Sequence, residues 1–445
     1  MKIKVAMLSL GCARNLVDAE VILGTLRRAG FGIVDEISRA DIAIINTCCF
    51  IRDAQEESIE AILAASRLKK EGVIRKLVIC GCMVQRYQQK LMAELPEVDA
   101  FVDVANIDKM AAVVRKIARQ DERVGEFGPV KFLYSHTSPR VSLTPDHFAY
   151  VKISEGCSHT CSYCIIPRVR GKYRSRPMSS ILQEVDQLFT RRKLSEINII
   201  GQDTTSYGRD RYKTSKIAPL LAAIARRAGE RWVRLLYAHP AGFPEELIPV
   251  IKNEPALCKY IDLPIQHIDD TILKAMRRAT TRAQILALIE KLRKRIPEVA
   301  LRTTLIVGFP GETEKQFRAL LDFIREMKFE RLGLFTYSQE EDTPAYSFAQ
   351  QVPEKEKQRR FRQALTLQQE ISRAYSLGFL GKELTVLIDE KDAQDKHLFI
   401  GRTQYDAPEV DGVAYVRTPK NLAPGDFVKV KVVDTWEYDL VAEAI

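Results

Sequence analysis

Hydrophobic positions in the first part of the chain fall in short apolar runs separated by stretches of helical period. Runs at residues 4–10, 43–45, 77–80 and 100–104 predict strands. Between the second and third of these, Ile59, Ile62 and Leu63 share one helical face. Asp53 with Glu56 three residues on predicts a capping box at the start of that helix. Strand and helix in alternation predict a parallel α/β sheet over residues 1–125. Over residues 126–147 periodicity is lost and Gly, Pro, Ser and Thr accumulate, the texture of a linker.

A second rhythm follows, with strands expected at residues 149–153, 197–200, 233–237, 260–263, 301–307 and 331–336 and amphipathic stretches between them. Six strand–helix steps predict a partial (βα)6 barrel over residues 148–377, closed by a charged helix across 354–376. From residue 378 to 445 the pattern shortens to alternating strands such as LTVLI, DGVAYVRT and FVKVKVV. Turns at Asp411-Gly412, Pro419 and Pro424-Gly425 separate them, and the segment predicts a small antiparallel β-barrel.

Composition narrows the class. With 445 residues, 46% hydrophobic and 28% charged, the chain has apolar side chain for several cores, and disorder and collagen are excluded. No apolar run reaches the roughly 20 residues that span a bilayer, and the amino terminus reads as a strand, so a cytoplasmic protein without a membrane contact is expected. Nothing in the pattern demands more than a monomer. The net charge is +10. It is uneven: the segment from residue 378 onward holds 8 Lys/Arg and 13 Asp/Glu, an acidic unit on a basic body.

Nine cysteines are too clustered for a disulfide framework and point to metal or redox chemistry. Cys157, Cys161 and Cys164 form a Cys-x3-Cys-x2-Cys triple directly after an expected strand. Three thiolates can hold an iron–sulfur cluster and leave one iron open. The alternative is a structural zinc site completed by His159 or a distant ligand. Cys12, Cys48 and Cys82 each stand just past the carboxy end of a different strand, where the crevice of an open sheet binds ligands. They can meet there around a second cluster, although any one alone also reads as a small buried hydrophobe. Neighbours in an extended chain point to opposite sides, so Cys48 is expected at the crevice in preference to Cys49. Cys82, after Gly81 as Cys12 is after Gly11, is expected there in preference to Cys80. Cys258 has no partner pattern and reads as structural.

Gly11-Cys12, Asn46-Thr47-Cys48, Gly81-Cys82-Met83-Val84-Gln85-Arg86, the Cys157 triple running into IIPRVRGKYRSR, and TTLIVGFPGETE together resemble the radical S-adenosylmethionine (SAM) methylthiotransferases over essentially the whole chain. The carboxy-terminal barrel is similar to the TRAM domain of that family. The resemblance implies two 4Fe-4S clusters, one on Cys157, Cys161 and Cys164 that binds SAM, and an auxiliary one on Cys12, Cys48 and Cys82. It implies Tyr163 beside the SAM adenine, a SAM contact at Gln202 in Gly201-Gln202-Asp203, and another at Gly308. The Gly201-Gln202-Asp203 stretch departs from the family's Gly-Gly-Glu pattern, and a tight turn explains Gly308 equally well. The run Arg168, Arg170, Lys172, Arg174, Arg176 reads either as a solvated surface or as a partner for cluster charge.

Within the family the sequence is most similar to the type that methylthiolates the β-carbon of an aspartate in a small-subunit ribosomal protein, the one numbered twelve, with electrons from an external donor. Asp406, Glu409 and Asp411 in the acidic carboxy-terminal unit suit a basic protein better than phosphates. Nucleic acid is then met only through the ribosome. Two rivals stand beside this reading: a tRNA adenosine methylthiotransferase, favoured by the basic first 377 residues, and a non-catalytic iron–sulfur ribosome-assembly factor.

Overall fold

The computed structural model describes residues 2–445. Six strands, β1 (Lys4–Ser9), β2 (Gly32–Ile33), β3 (Ile42–Thr47), β4 (Lys76–Gly81), β5 (Ala100–Asp103) and β6 (Val124–Glu126), form one parallel sheet in the order β2-β1-β3-β4-β5-β6. β3 is buried along its whole length, as a strand covered on both faces must be. Its alternate residues serve two cores: Ala43 and Ile45 pack with Ile62, Leu77 and Ile79, while Ile42 and Ile44 pack with Ile22, Val78 and Val113. Helices α1 (Ala13–Arg28), α2 (Arg52–Lys70) and α3 (Cys82–Glu94) follow β1, β3 and β4.

Two local expectations are corrected here. The capping box at Asp53 and Glu56 does not form, because α2 begins two residues earlier than that box requires, with Ile51 at the cap position. Asp53 instead lies in the first turn, where a carboxylate suits the helix dipole, and Glu56 pairs with Arg52 at 2.8 Å. The stretch expected as a linker begins with strand: Glu126 belongs to β6, which adds to the sheet edge beside β5. The rest of that stretch is pinned down. Arg140 bridges Glu20 of α1 and Glu184, and Tyr134 donates to the Lys152 carbonyl at 3.2 Å.

The central body carries β7 (Phe148–Lys152), a short antiparallel pair β8 (Ser154–Glu155) and β9 (Arg174–Ser175), then β10 (Glu196–Ile200), β11 (Trp232–Leu235), β12 (Tyr260–Asp262), β13 (Ala300–Val307) and β14 (Arg331–Thr336). The six long strands make two parallel three-stranded sheets, β11-β10-β7 and β12-β13-β14, joined at a seam where Val233 pairs with Leu257. This is the open (βα)6 barrel. Outward residues such as Val151, Ile197, Ile199, Val233, Ile261 and Leu305 pack under the helices. The alternate residues, among them Lys152, Glu196, Asn198, Arg234 and Asp262, are buried and polar.

That polar interior is filled by neighbours. Val17 and Val21 of α1, and Ala407 from the far end of the chain, join Phe148, Tyr150 and Tyr260 in one apolar cluster. Helix Glu354–Leu377 leads to β15 (Glu383–Lys391), β16 (Leu398–Thr403), β17 (Ala414–Arg417), β18 (Phe427–Thr435) and β19 (Leu440–Ala444), a closed five-stranded barrel. Four of its pairings are antiparallel, and β17 with β19 is parallel.

The acidic residues of this barrel have a different use from the one expected. Asp406 binds Arg331, and Asp411 accepts from Tyr260 at 2.6 Å and lies 3.4 Å from Arg302. Glu409 accepts from Tyr150 at 2.8 Å. Buried arginines and tyrosines in the central barrel need those carboxylates, so the three acids dock the two bodies and do not form a free acidic face. Among the described residues no helix is long and apolar enough to cross a membrane.

Candidate active site between the two sheets

In the strand order of the first sheet, the chain reverses direction of travel between β1 and β3, and ligands of such sheets bind beyond the strand ends at that point. Cys12 and Cys48 stand there. Gly11 turns the chain with φ of +87°, and a Cβ on it would lie 2.7 Å from Cys48 Cβ and 2.8 Å from Cys48 Sγ. Only glycine lets the two cysteine loops approach so closely. Cys12 is the cap residue of α1 and Cys82 the first residue of α3, after Gly81 at φ of +97°. A helix amino terminus favours a thiolate at both positions.

The second triple is held on a loop between β8 and β9 whose backbone is tied on several sides. Cys157 N donates to the Gly171 carbonyl at 3.1 Å, Ser162 N to Met276 at 3.0 Å, and Ala345 N to Ser162 at 2.8 Å. Gly156, at φ of +77°, is packed so tightly against the 171–172 backbone that a Cβ would lie 2.4 Å from an oxygen.

All six cysteines line one cavity of about 540 Å³ between the two bodies. Its wall also holds Arg14, Arg170 and Arg278, the polar side chains Gln202, His159, His239 and Gln266, and aromatic Tyr163 and Tyr237. Phe50 and Phe335, one from each body and both exposed, also line it. No aspartate or glutamate is among the lining residues.

Each thiol triple has a guanidinium against it. Arg14 Nε lies 3.4 Å from Cys12 Sγ, Arg170 Nη2 lies 3.0 Å from Cys82 Sγ, and Arg278 Nη1 lies 3.7 Å from Cys161 Sγ. Burial, with the neighbouring thiols adding to it, pushes Cys48 up to about 12 and Cys164 up to about 12. At Cys12 burial works the same way, but the charges of Arg14 and Arg170 overcome it and bring the thiol to about 7.

Among the described residues no three His, Cys, Asp or Glu side chains converge on a single metal ion. Two sets of three thiols around an acid-free cavity with cationic neighbours suit a larger, thiolate-held group of negative charge, which is the donor set an iron–sulfur cluster takes. His159 does not complete a zinc site. It contacts Asp203 at 2.8 Å and stacks on His239 with ring centres 3.9 Å apart.

Tyr163 and Gln202 both line the cavity. Gln202 donates to Glu155 at 2.7 Å and keeps a buried Oε1 without a partner. Gly308 is not among the lining residues: a Cβ there would lie 2.4 Å from Lys357 Cγ, so its turn packs on the long helix Glu354–Leu377. Cys49 does line the cavity, contrary to expectation, because β3 ends at Thr47 and the strand pairing that imposes strict alternation ends with it. Cys80 lies inside β4, near Asn46, and Cys258 is buried in the central body.

The basic run divides. Arg170 and Arg176 are buried, on Asp18 and on Glu184 at 2.5 Å, whereas Arg168 is exposed on Asp342. Of the cavity's arginines, Arg170 lies in the run read as a partner for cluster charge, whereas Arg14 and Arg278 escaped pattern reading. The one available signal was Arg14, two residues past a cysteine at a strand end.

Three family models match the chain: "Uncharacterized protein family UPF0004" over residues 4–103, "Radical SAM superfamily" over residues 151–324, and "TRAM domain" over residues 380–445. A curated relative from Heliobacterium modesticaldum, "Ribosomal protein uS12 methylthiotransferase RimO", is 45% identical over 100% of this chain and 96% of its own length. One of the same name from Geobacter sulfurreducens is 44% identical over 100% of this chain and 99% of its own. The chain belongs to the RimO family of methylthiotransferases. Among solved structures, the radical SAM methyltransferase TsrM from Kitasatospora setae matches with a TM-score of 0.57 at 15% identity, over 78% of this chain and 77% of that one. That likeness is one of fold. In this RimO family member the UPF0004 match holds Cys12, Cys48 and Cys82, and the radical SAM match holds Cys157, Cys161 and Cys164.

Proposed function

We propose that this chain methylthiolates the β-carbon of an aspartate in ribosomal protein uS12, with SAM as radical source and methyl donor. The observation that carries the reading is the single cavity lined by both cysteine triples. A hydrogen on the carbon beside a carboxylate anion is not acidic enough for base chemistry, so sulfur insertion there calls for a radical. When bound, a cluster and SAM at Cys157, Cys161 and Cys164 supply that radical, and a cluster at Cys12, Cys48 and Cys82 supplies the sulfur.

The protein's own part is to hold, orient and shield. Tyr163 and Gln202 are assigned to SAM; Gly308, packed away on Lys357, is not. Asp203 is held well below the usual carboxylate range, since its hydrogen bonds from His159, Ser206 and Thr205 outweigh the burial that raises it. It fixes the orientation of His159 on the cavity wall. Burial, then the charges of Arg278 and His159, push His239 down to about 2, so its imidazole is neutral at the wall.

The cavity is complete within one chain, which supports a monomer. The free cysteines and a ribosomal substrate support a cytoplasmic site, with electrons from an external donor. We assign the auxiliary site to residues 1–125, the SAM site to 148–377 and the TRAM barrel to 378–445, with 126–147 strapping the first two together.

The relatives that match the whole chain support uS12 in preference to tRNA. The test is to reconstitute the protein anaerobically with iron and sulfide, add SAM and dithionite, and offer uS12 or tRNA. Mass spectrometry should find uS12 heavier by a methylthio group less one hydrogen, on an aspartate. The same gain on tRNA alone would overturn the reading.

A further inference from the structure

The methylthiolation reading places an aspartate side chain, and so a full negative charge, in a cavity without acidic residues. We propose that Arg14 receives the carboxylate of that aspartate and thereby selects the substrate; this rests on the reading above.

Three cations line the cavity, and one of them, Arg170, is already paired with carboxylates. Arg170 is held by Asp18, by Asn15 at 3.1 Å and by Glu155 at 3.5 Å. Arg278 donates to the Pro264 carbonyl at 2.6 Å and to Tyr163 at 3.4 Å, on the wall of the Cys157 triple. Neither Arg14 nor Arg278 has a carboxylate within 4.0 Å among the described residues, and Arg14 is the one that stands on the Cys12 triple, where sulfur is to be delivered. Its guanidinium is nevertheless fixed on three sides: Nε on Cys12 Sγ at 3.4 Å, Nη1 on the Gly201 carbonyl at 3.1 Å, and one face over the Tyr237 ring at 4.2 Å. Nη2 donates to nothing among the described residues.

A guanidinium whose plane is fixed while one nitrogen is left without a protein acceptor is prepared for a carboxylate. The β-carbon of aspartate is bonded directly to its carboxyl carbon. A carboxylate on Arg14 therefore sets the target carbon one bond away, on the Cys12 side of the cavity where sulfur is to be delivered. A neutral asparagine in that position loses the charge-assisted bond, and a nucleobase has no carboxylate to offer.

The test compares kcat/KM for uS12 and for uS12 with its target aspartate changed to asparagine, in the reconstituted wild type, Arg14→Gln and Arg14→Lys. Binding of the two uS12 forms is measured alongside, and iron content checks the clusters. We expect the wild type to favour aspartate by about 10- to 150-fold, the span set by one charged hydrogen bond. The ratio should fall to near unity in Arg14→Gln and be partly kept in Arg14→Lys, in binding as in turnover. Equal losses on both substrates, or a raised KM for SAM with the ratio intact, would overturn the assignment and leave the methylthiolation reading standing. A wild type that makes no product from uS12 would overturn that reading, and this inference with it.

Discussion

Arg86 and Glu340 join the two bodies at the edge of the cavity, and their side chains are only 1% and 5% exposed. Arg86 Nη1 meets Glu340 Oε2 at 2.7 Å and the Cys49 carbonyl at 3.1 Å, and Nη2 donates to the Glu341 carbonyl at 2.8 Å. The same carboxylate accepts from Gln55 at 2.7 Å and from Ser338 at 2.6 Å. Replacing Glu340 by Leu leaves the Arg86 guanidinium buried without its counter-charge, at a cost of about 3–5 kcal/mol. Arg86→Met strands Glu340 in the same way. The double variant replaces both charges by apolar groups and should recover most of the loss, because a well-packed apolar pair is often as stable as a buried ion pair. Several packed bodies make global unfolding a poor measure, so the assay is native-state hydrogen exchange across residues 52–56 and 336–343. Each single variant should speed exchange there by roughly two to three and a half powers of ten. Single variants within about fivefold of wild type, or a double variant no better than the worse single one, would refute the reasoning.

Gly11→Ala should cost about 1–3 kcal/mol for its left-handed backbone and push Cys48 out of place. Iron analysis of the reconstituted protein should then fall to about half, with the Cys157 triple still loaded; full iron content would contradict the packing argument. Acid should undock the carboxy-terminal barrel. Glu196 and Asp389 are raised by burial, but Arg402 with Arg234, and His147 with Arg402, bring them below their ordinary range. Their stabilising contribution is therefore full above the unfolded value of about 4 and is lost as pH falls through the depressed folded values. Small-angle scattering should show expansion only below about pH 4; expansion already near neutral pH would have the wrong sign.

The six cysteines were legible because strand ends are legible. An apolar run gives the strand, a glycine marks the turn, and the residue after it is placed at the crevice, as at Cys12 and Cys82. The same logic failed at Cys49, where alternation was carried two residues beyond the end of β3. Charge was the least legible feature. Asp406 and Asp411 have the composition of a free acidic face, yet they neutralise arginines that alternation along β13 and β14 turns into the interior. The basic run likewise gave no sign that Arg170 and Arg176 are buried while Arg168 is exposed. Sequence shows which residues are charged, but the partner that decides their role comes from another body. The Arg14 site has the same origin, since Gly201 and Tyr237 lie far from it in the chain.

The central claim is that the two cysteine triples hold separate clusters with separate duties at one cavity. It is tested most directly by measuring 5′-deoxyadenosine and methylthiolated uS12 in the same reaction, for wild type and for variants with each triple changed to alanine, with Cys258→Ala as control. Loss of Cys12, Cys48 and Cys82 should leave 5′-deoxyadenosine formation and abolish the methylthio product, loss of Cys157, Cys161 and Cys164 should abolish both, and the control should keep both. Methylthiolated uS12 from the first variant, or 5′-deoxyadenosine from the second, would contradict the account.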